Sequence, residues 1–290
     1  MKVLKQLDVN NVVFIDIETV SVVPQLEKGT PLYDSWLYKM KYKQDELENL
    51  DALFIKEAAL HAEFSKIVCI TIGKIKDDKL KMKSYSGDDE KEILTNFCND
   101  LTNIIASNKA TVLCGHTIVG FDIPFIMRRC MITQVEPPSL IDVAALKPWE
   151  VTAIDLATLW KGSGFNGASL MNIAVAMGLK SPKDEMYNYE TSEIYHNEKG
   201  GLTRITRYCE DDVFTTANIF RICRFEKPLE RTSAPIETEK VGALERIYNT
   251  KKVTKAEEGV LVTQLGTMSA EDAKVATDIL KVVMPKKAKA

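Results

Sequence analysis

The sequence predicts an α/β fold in which helices flank a mixed β-sheet, with a helical extension at the C-terminal end. Three observations predict it. Short apolar, β-branched runs dominate the first part of the chain, helical spacing interleaves with them later, and the character changes again near Phe225, where prolines precede further helical patterns. Early strands followed by interleaved helices argue for a sheet covered by helices.

Taken in order, residues 12–17 (VVFIDI) are a short apolar run that reads as a buried strand. A mixed segment follows from about Val20 to Ser65, turn-rich at Pro24, Gly29 and Pro31 and then helical and charged around KYKQDELENLDALFIKEAAL. Residues 67–75 and 80–85 are strand-like and joined by a polar Asp-Asp turn. Residues 89–107 carry Ile93, Leu94, Phe97, Leu101 and Ile104 on one helical face. TVLCG at 111–115 is another short strand, and Asp122 to Arg129 is helical. Ser169 is a suitable N-cap for a helix reaching Gly178, and residues 202–223 form a long amphipathic helix. Beyond Phe225, Pro228, Pro235 and the TSAP stretch read as a linker. Helical patterns at about 236–249, 254–265 and 269–283 precede a lysine-rich PKKAKA end. The expected organisation is a main α/β domain at 1–225 and a helical extension at 226–290.

Composition narrows the function classes. The chain has 290 residues, 45% of them hydrophobic, enough for a substantial core. The 38 basic and 41 acidic residues leave a net charge of -3, so any grip on nucleic acid should be local or weak and not a matter of bulk charge. None of the six cysteines pair as CxxC and only three histidines exist, which argues against a structural zinc site. Cysteines in apolar runs such as TVLCG and IVCITIG read as buried free thiols of a reducing compartment. No apolar run reaches the roughly 18 residues of a membrane span, and MKVLKQLDVN lacks the apolar core of a signal peptide. The expected location is cytoplasmic, with no membrane partner.

Three acidic signals carry chemistry. Asp16 and Glu18, with Thr19 after them, stand at the expected end of the 12–17 strand. Two strand residues separated by one point to the same side, so the two carboxylates project together. Like charges so placed repel unless a cation lies between them. In GHTIVGFDIPF, a strand ends at Gly115, a loop follows, and Phe121-Asp122 opens a helix. In Tyr208-Cys209-Glu210-Asp211-Asp212, Tyr208 and Asp212 are four apart and share a helix face. Each signal alone has an ordinary reading: solvated acids on an edge strand, an N-cap aspartate, an exposed acidic patch. Glu210 and Asp211 read as solvated, and Asp155 reads as a helix cap.

In this order, strand DxE, then FD opening a helix, then YxxxD on a late helix, the three signals resemble the motifs of the DnaQ-like (DEDD) 3′–5′ exonucleases. Tyr208 in place of histidine makes the resemblance one to the tyrosine branch, which includes family-B DNA polymerase proofreading domains and ribonuclease D-like enzymes. AALHAEFSKIVCITIG, GHTIVGFDIPFI, IDLATLW, ASLMNIAVAMGL and RYCEDDVFTT are similar, more narrowly, to stand-alone exonucleases related to the family-B polymerase domain. The resemblance covers about residues 10–224 and implies a ribonuclease H-like fold. It implies two divalent metal ions, Mg²⁺ or Mn²⁺, held by Asp16, Glu18, Asp122 and Asp212. Asp16 would bridge the ions, Glu18 and Asp212 would complete the first site, and Asp122 would hold the second largely through water. Tyr208 would orient the attacking water. Thr19 would lie near the terminal nucleotide, and Phe121 and Phe125 are candidates for stacking on a splayed base, although both also suit a core. The family usually has asparagine where Thr117 stands, which places loop positioning in question.

The activity so implied is removal of nucleotides from the 3′ end of single-stranded DNA. An exoribonuclease processing RNA is the alternative within the same chemistry, and a catalytically silent nucleic-acid-binding scaffold is the alternative outside it. No polymerase domain is visible, so proofreading would need a separate polymerase or replication protein as partner. For residues 226–290, packing of the apolar helical faces on each other or on the main domain stands beside docking to such a partner and contact with the substrate strand.

Overall fold

The computed structural model describes residues 2–42, 49–179 and 190–231. The chain divides into two units, Met1–Leu229 and Glu230–Ala290, and the sheet and helices of the described residues belong to the first. The helical patterns at 236–249, 254–265 and 269–283 lie outside the described residues.

Five strands form one sheet, in the order β3-β2-β1-β4-β5. They are β1 (Val12–Ser21), β2 (Ser65–Lys76), β3 (Lys79–Ser86), β4 (Val112–Gly115) and β5 (Ala153–Asp155). β1 pairs antiparallel with β2 and parallel with β4, so the sheet is mixed. β1 runs four residues past its expected end at Ile17 because pairing with β2 continues to Ser21 opposite Ser65. Asp16 and Glu18 are therefore mid-strand residues of a central strand and not the last residues of a short one. β2 and β3 form a hairpin across Asp77 and Asp78, whose φ values of 51° and 53° give the doubly left-handed turn that suits the strand twist. Aspartate tolerates that conformation better than most side chains.

The helices, in chain order, are α1 (Lys2–Gln6), α2 (Pro31–Met40), α3 (Leu50–Glu57), α4 (Glu90–Ser107), α5 (Asp122–Thr133), α6 (Leu156–Lys161), α7 (Leu170–Ala176), α8 (Thr191–Asn197) and α9 (Gly201–Cys223). Asp89 caps α4 through Glu92 N–H, and Ser169 caps α7 through Asn172 N–H. Strand parity divides the core in two. Val13, Ile15 and Ile17 with Ile67, Ile70 and Ile72 pack under Leu94, Phe97 and Leu101 of α4 and Ile123, Ile126 and Cys130 of α5. On the opposite face Val12 and Phe14 meet Val213, Ala217 and Phe220 of α9, with the Phe14 and Phe220 rings edge-to-face at 5.4 Å. A third cluster gathers Trp36, Phe54 and Phe64 beside the β1 end.

One buried ion pair links three elements. Arg129 of α5 grips Glu90 of α4 with Nε at 2.8 Å and a second contact through its terminal nitrogen. Its other terminal nitrogen donates to the Ala62 carbonyl at 2.7 Å, while Glu90 also accepts the Ile67 N–H at 2.7 Å. After α9 the chain folds back: Arg224 donates to the Leu4 and Leu7 carbonyls, and Leu229 N–H reaches Asn218 Oδ1 at 2.6 Å. The first unit thus extends four residues beyond the expected boundary at 225. All six cysteines are free and five are buried. Among the described residues no helix is long and apolar enough to cross a membrane.

Candidate active site

Asp16 and Glu18 rise from the α9 face of β1, opposite Thr71 and Cys69 of β2. The register slips between Glu18 and Thr19, where β2 carries one extra residue, Val68. Such a bulge bends a strand locally and re-aims its side chains. Asp122 arrives from the neighbouring parallel pair. It is the first residue of α5, with Phe121 at the cap position, not itself the cap that its place at a helix start suggests. Gly115, the last residue of β4, has to be glycine: a Cβ there would lie 2.9 Å from Ile118 Cβ and 3.0 Å from the Ile15 carbonyl. Tyr208 and Asp212 enter from α9, one turn apart on its buried side.

These elements bring the four expected carboxylates into one electrostatic field. Burial raises the Asp16 carboxyl well above its usual range, and Asp212, Asp122 and Glu18 raise it further, against a hydrogen bond from Cys209. Asp122, 5% exposed, is pushed up to about 7, first by burial and then by Asp155 and Asp212, while the N–H groups of Asp122 and Ile17 oppose the shift. Burial likewise raises the Tyr208 phenol, followed by Asp212, Glu18 and Asp16, and its hydroxyl is hydrogen-bonded to Asp212. A cluster of half-buried and buried carboxylates that oppose one another's ionisation is what a divalent cation relieves.

Asp16, Glu18 and Cys209 each place one ligand atom within 4.8 Å of the others. Cys209 lies between Tyr208 and Asp212 in sequence, and no local pattern marks it as part of the site. Burial and neighbouring Cys69 hold its thiol well above the usual range, so it stays protonated. A neutral thiol is a poor ligand for a hard cation, and the donor set that remains is all oxygen, suited to Mg²⁺ or Mn²⁺. Asp16 and Glu18 fit such an ion, while Asp122 and Asp212 are not among the ligand atoms of that group and reach Asp16 through their charge.

The expected substrate-side residues have more varied surroundings. The Thr19 hydroxyl donates to the Ala59 carbonyl at 2.7 Å, so its proton is engaged within the fold and its oxygen is left able only to accept. Phe125 is fully buried core and cannot stack on a base; Phe121 is half-buried against it, with ring centroids 5.1 Å apart. Thr117 is exposed with φ 64°, a left-handed conformation that a β-branched residue rarely adopts and asparagine adopts readily. Its carbonyl accepts the Gly120 and Phe121 N–H groups at 3.0 and 2.9 Å, closing the turn into α5.

Two acidic residues do more than expected. Asp155 caps α6 through Thr158 N–H, as its position suggests, and also accepts Thr117 N–H at 3.3 Å and Val119 N–H at 3.1 Å. It thereby fixes the loop that delivers Asp122. Glu210, expected in solvent, accepts the Ser84 hydroxyl of β3 at 2.7 Å, and Ser84 meets Thr71 at 3.0 Å. This correction follows from α9 crossing the β2–β3 hairpin, a contact no local pattern encodes.

Comparison with protein-family models matches residues 54–223 to the RNase_H superfamily, a stretch that includes Asp122, Asp155, Tyr208 and Asp212 and begins after Asp16 and Glu18. No curated protein matches the chain.

Proposed function

The chain belongs to the RNase_H superfamily, and from that premise we propose that it is a metal-dependent 3′–5′ exonuclease that removes nucleotides from the 3′ end of single-stranded DNA. The observation that carries this reading is the convergence of Asp16, Glu18, Asp122 and Asp212, from one strand and two helices, with the Tyr208 hydroxyl beside Asp212.

Asp16, Glu18, Asp122 and Asp212 are the residues that would hold the divalent ions. When bound, the ions supply an acidified water and neutralise charge on the leaving 3′ oxygen. Tyr208 keeps its proton because burial and three carboxylates oppose its ionisation. Its hydroxyl therefore acts as an orienting group for the attacking water and not as the base. Asp155 holds the loop before α5, so Asp122 approaches β1 from a fixed direction.

The test uses 5′-labelled linear DNA and RNA single strands of matched sequence, with Mg²⁺ or Mn²⁺ and with chelator. The expected result is a one-nucleotide ladder on DNA, shortened from the 3′ end, that chelator and Asp16→Ala or Asp212→Asn abolish. Full activity in purified Asp16→Ala would overturn the assignment. Equal degradation of a circular single strand would overturn the exonuclease polarity, and faster shortening of RNA would move the reading to RNA processing.

A further inference from the structure

The β2–β3 hairpin carries five lysines on one face. Lys74 stands directly opposite Lys81, Lys76 opposite Lys79, and Lys83 opposite Ile72. Directly opposed residues share a face, as do residues two apart along a strand. The lysines therefore form two rows with about 6.8 Å between neighbours along each strand and about 4.8 Å between strands. They lie on the face away from the carboxylates: Gly73, of the other parity, is the position where a Cβ would meet Val213 of α9 at 3.0 Å.

Lys83 is paired with Asp100 of α4. Lys74, Lys76, Lys79 and Lys81 make no ion pair among the described residues. Nearby Asp78 is engaged by Arg221 at 2.8 Å. The stretch 74–83 holds 5 lysines and 2 aspartates, a local +3, within residues 1–225 whose 26 basic and 31 acidic residues sum to −5.

This arrangement opposes folding locally, because lysine is a poor strand residue and like charges set opposite each other destabilise a ladder. Protection of an exposed sheet edge would explain lysines on β3, the edge strand. Beyond Gly73, where its pairing with β1 ends, β2 is also open on one side; edge protection does not require Lys74 and Lys76 to stand directly opposite Lys81 and Lys79, where they add to the repulsion. A polyanion laid along the hairpin would offset it.

We propose that this lysine face is a second contact surface for nucleic acid, one that binds the phosphate backbone of the substrate strand away from its 3′ end. The choice of nucleic acid as the polyanion rests on the nuclease reading. The contact is electrostatic and independent of base sequence, since the face presents lysines and no exposed aromatic ring. Being on the far face from Asp16, it engages long strands and is out of reach of a tetranucleotide held at the carboxylates.

The experiment compares the full chain with K74Q/K76Q/K79Q/K81Q and with the corresponding four-arginine variant. Binding of a long fluorescent single strand is followed by anisotropy in chelator, and cleavage of long strands and tetranucleotides is followed with Mn²⁺. Glutamine at all four positions should lower the slope of log Kd against log salt by about 3, at roughly 0.7 per phosphate contact on a single strand. It should raise KM on long strands by about tenfold or more at moderate salt, with kcat and the tetranucleotide KM unchanged, and arginine should restore binding. An unchanged affinity and salt slope in a glutamine variant that still cleaves would overturn the proposal and leave edge protection as the role of the lysines. Weaker binding to polyglutamate with unchanged binding to DNA would overturn it in favour of an acidic protein partner. Failure of the wild-type chain to cut or bind any strand would instead overturn the nuclease reading, and this proposal with it.

Discussion

The Cys209 thiol donates to the main-chain carbonyl of Asp16 at 3.4 Å, bolting the middle of β1 to α9 one residue after Tyr208. Through this contact the strand that bears two carboxylates and the helix that bears the third keep a fixed separation. Cys209→Ala should lower stability by about 1 kcal/mol while keeping most activity, because one buried atom is lost and its neighbours relax. Cys209→Leu should cost more, about 1–3 kcal/mol, because it wedges the two elements apart. Its kcat should fall more than its KM rises. Denaturant melts and steady-state kinetics on the two variants check this; a leucine variant with wild-type kcat would mean the separation is not critical.

The Asp122 carboxyl, pushed up to about 7, makes the metal-free fold sensitive to pH. A carboxyl held above its unfolded value near 4 favours the folded state at low pH, and that contribution is lost as pH rises from about 4 to 7. Asp16 acts in the same direction. In chelator, the melting temperature should therefore fall between mildly acidic and neutral pH, and Asp122→Asn should flatten the fall. Saturating Mn²⁺ should raise the melting temperature most at neutral pH, where the carboxylates are charged. A chelated protein that becomes steadily more stable over the same interval would contradict the burial of these groups.

Tyr208→Phe removes a hydroxyl and no metal ligand. Turnover should slow by more than tenfold, the scale of one lost positioning interaction, with Mn²⁺ affinity by calorimetry nearly unchanged. Because the phenol is raised above its usual value, the wild-type rate profile should have no limb from tyrosine ionisation below strongly alkaline pH. Markedly weaker Mn²⁺ binding in the variant would make Tyr208 part of the metal shell.

Thr117 holds φ 64° without the side chain that favours it. Thr117→Asn should stabilise the fold by about 0.5–1 kcal/mol and Thr117→Gly should do nearly as well, since both relieve left-handed strain. Thr117→Val, which keeps the branch, should not. A shift in the urea midpoint without a change in slope is the expected signature.

The legible part of the site is the part with a local signature. Asp16 and Glu18 are tied by strand parity, Asp122 by a helix opening after a loop, and Tyr208 with Asp212 by one helical turn. The strand's true length is not legible, because it is pairing with the distant β2, as of Glu18 with Cys69, that carries β1 to Ser21. The same holds for the partners of Glu210 and for the reach of Asp155 to Thr117. Each depends on which elements meet, and composition and spacing encode only what each element is. Phe125 shows the converse: an aromatic beside an acidic motif is core when its helix turns it inward.

The Arg129–Glu90 pair sets an unusual constraint on substitution. A buried ion pair can often be exchanged for two apolar side chains of similar volume at little net loss. Here the same two side chains also satisfy the Ile67 N–H and the Ala62 carbonyl. Glu90→Leu with Arg129→Met would fill the volume and leave two main-chain groups dry and unanswered, at about 1–3 kcal/mol each. The pair is thus a graft of side chain onto backbone, closing the start of β2 beyond the reach of β3, and it is replaceable only by residues that still hydrogen-bond to the main chain.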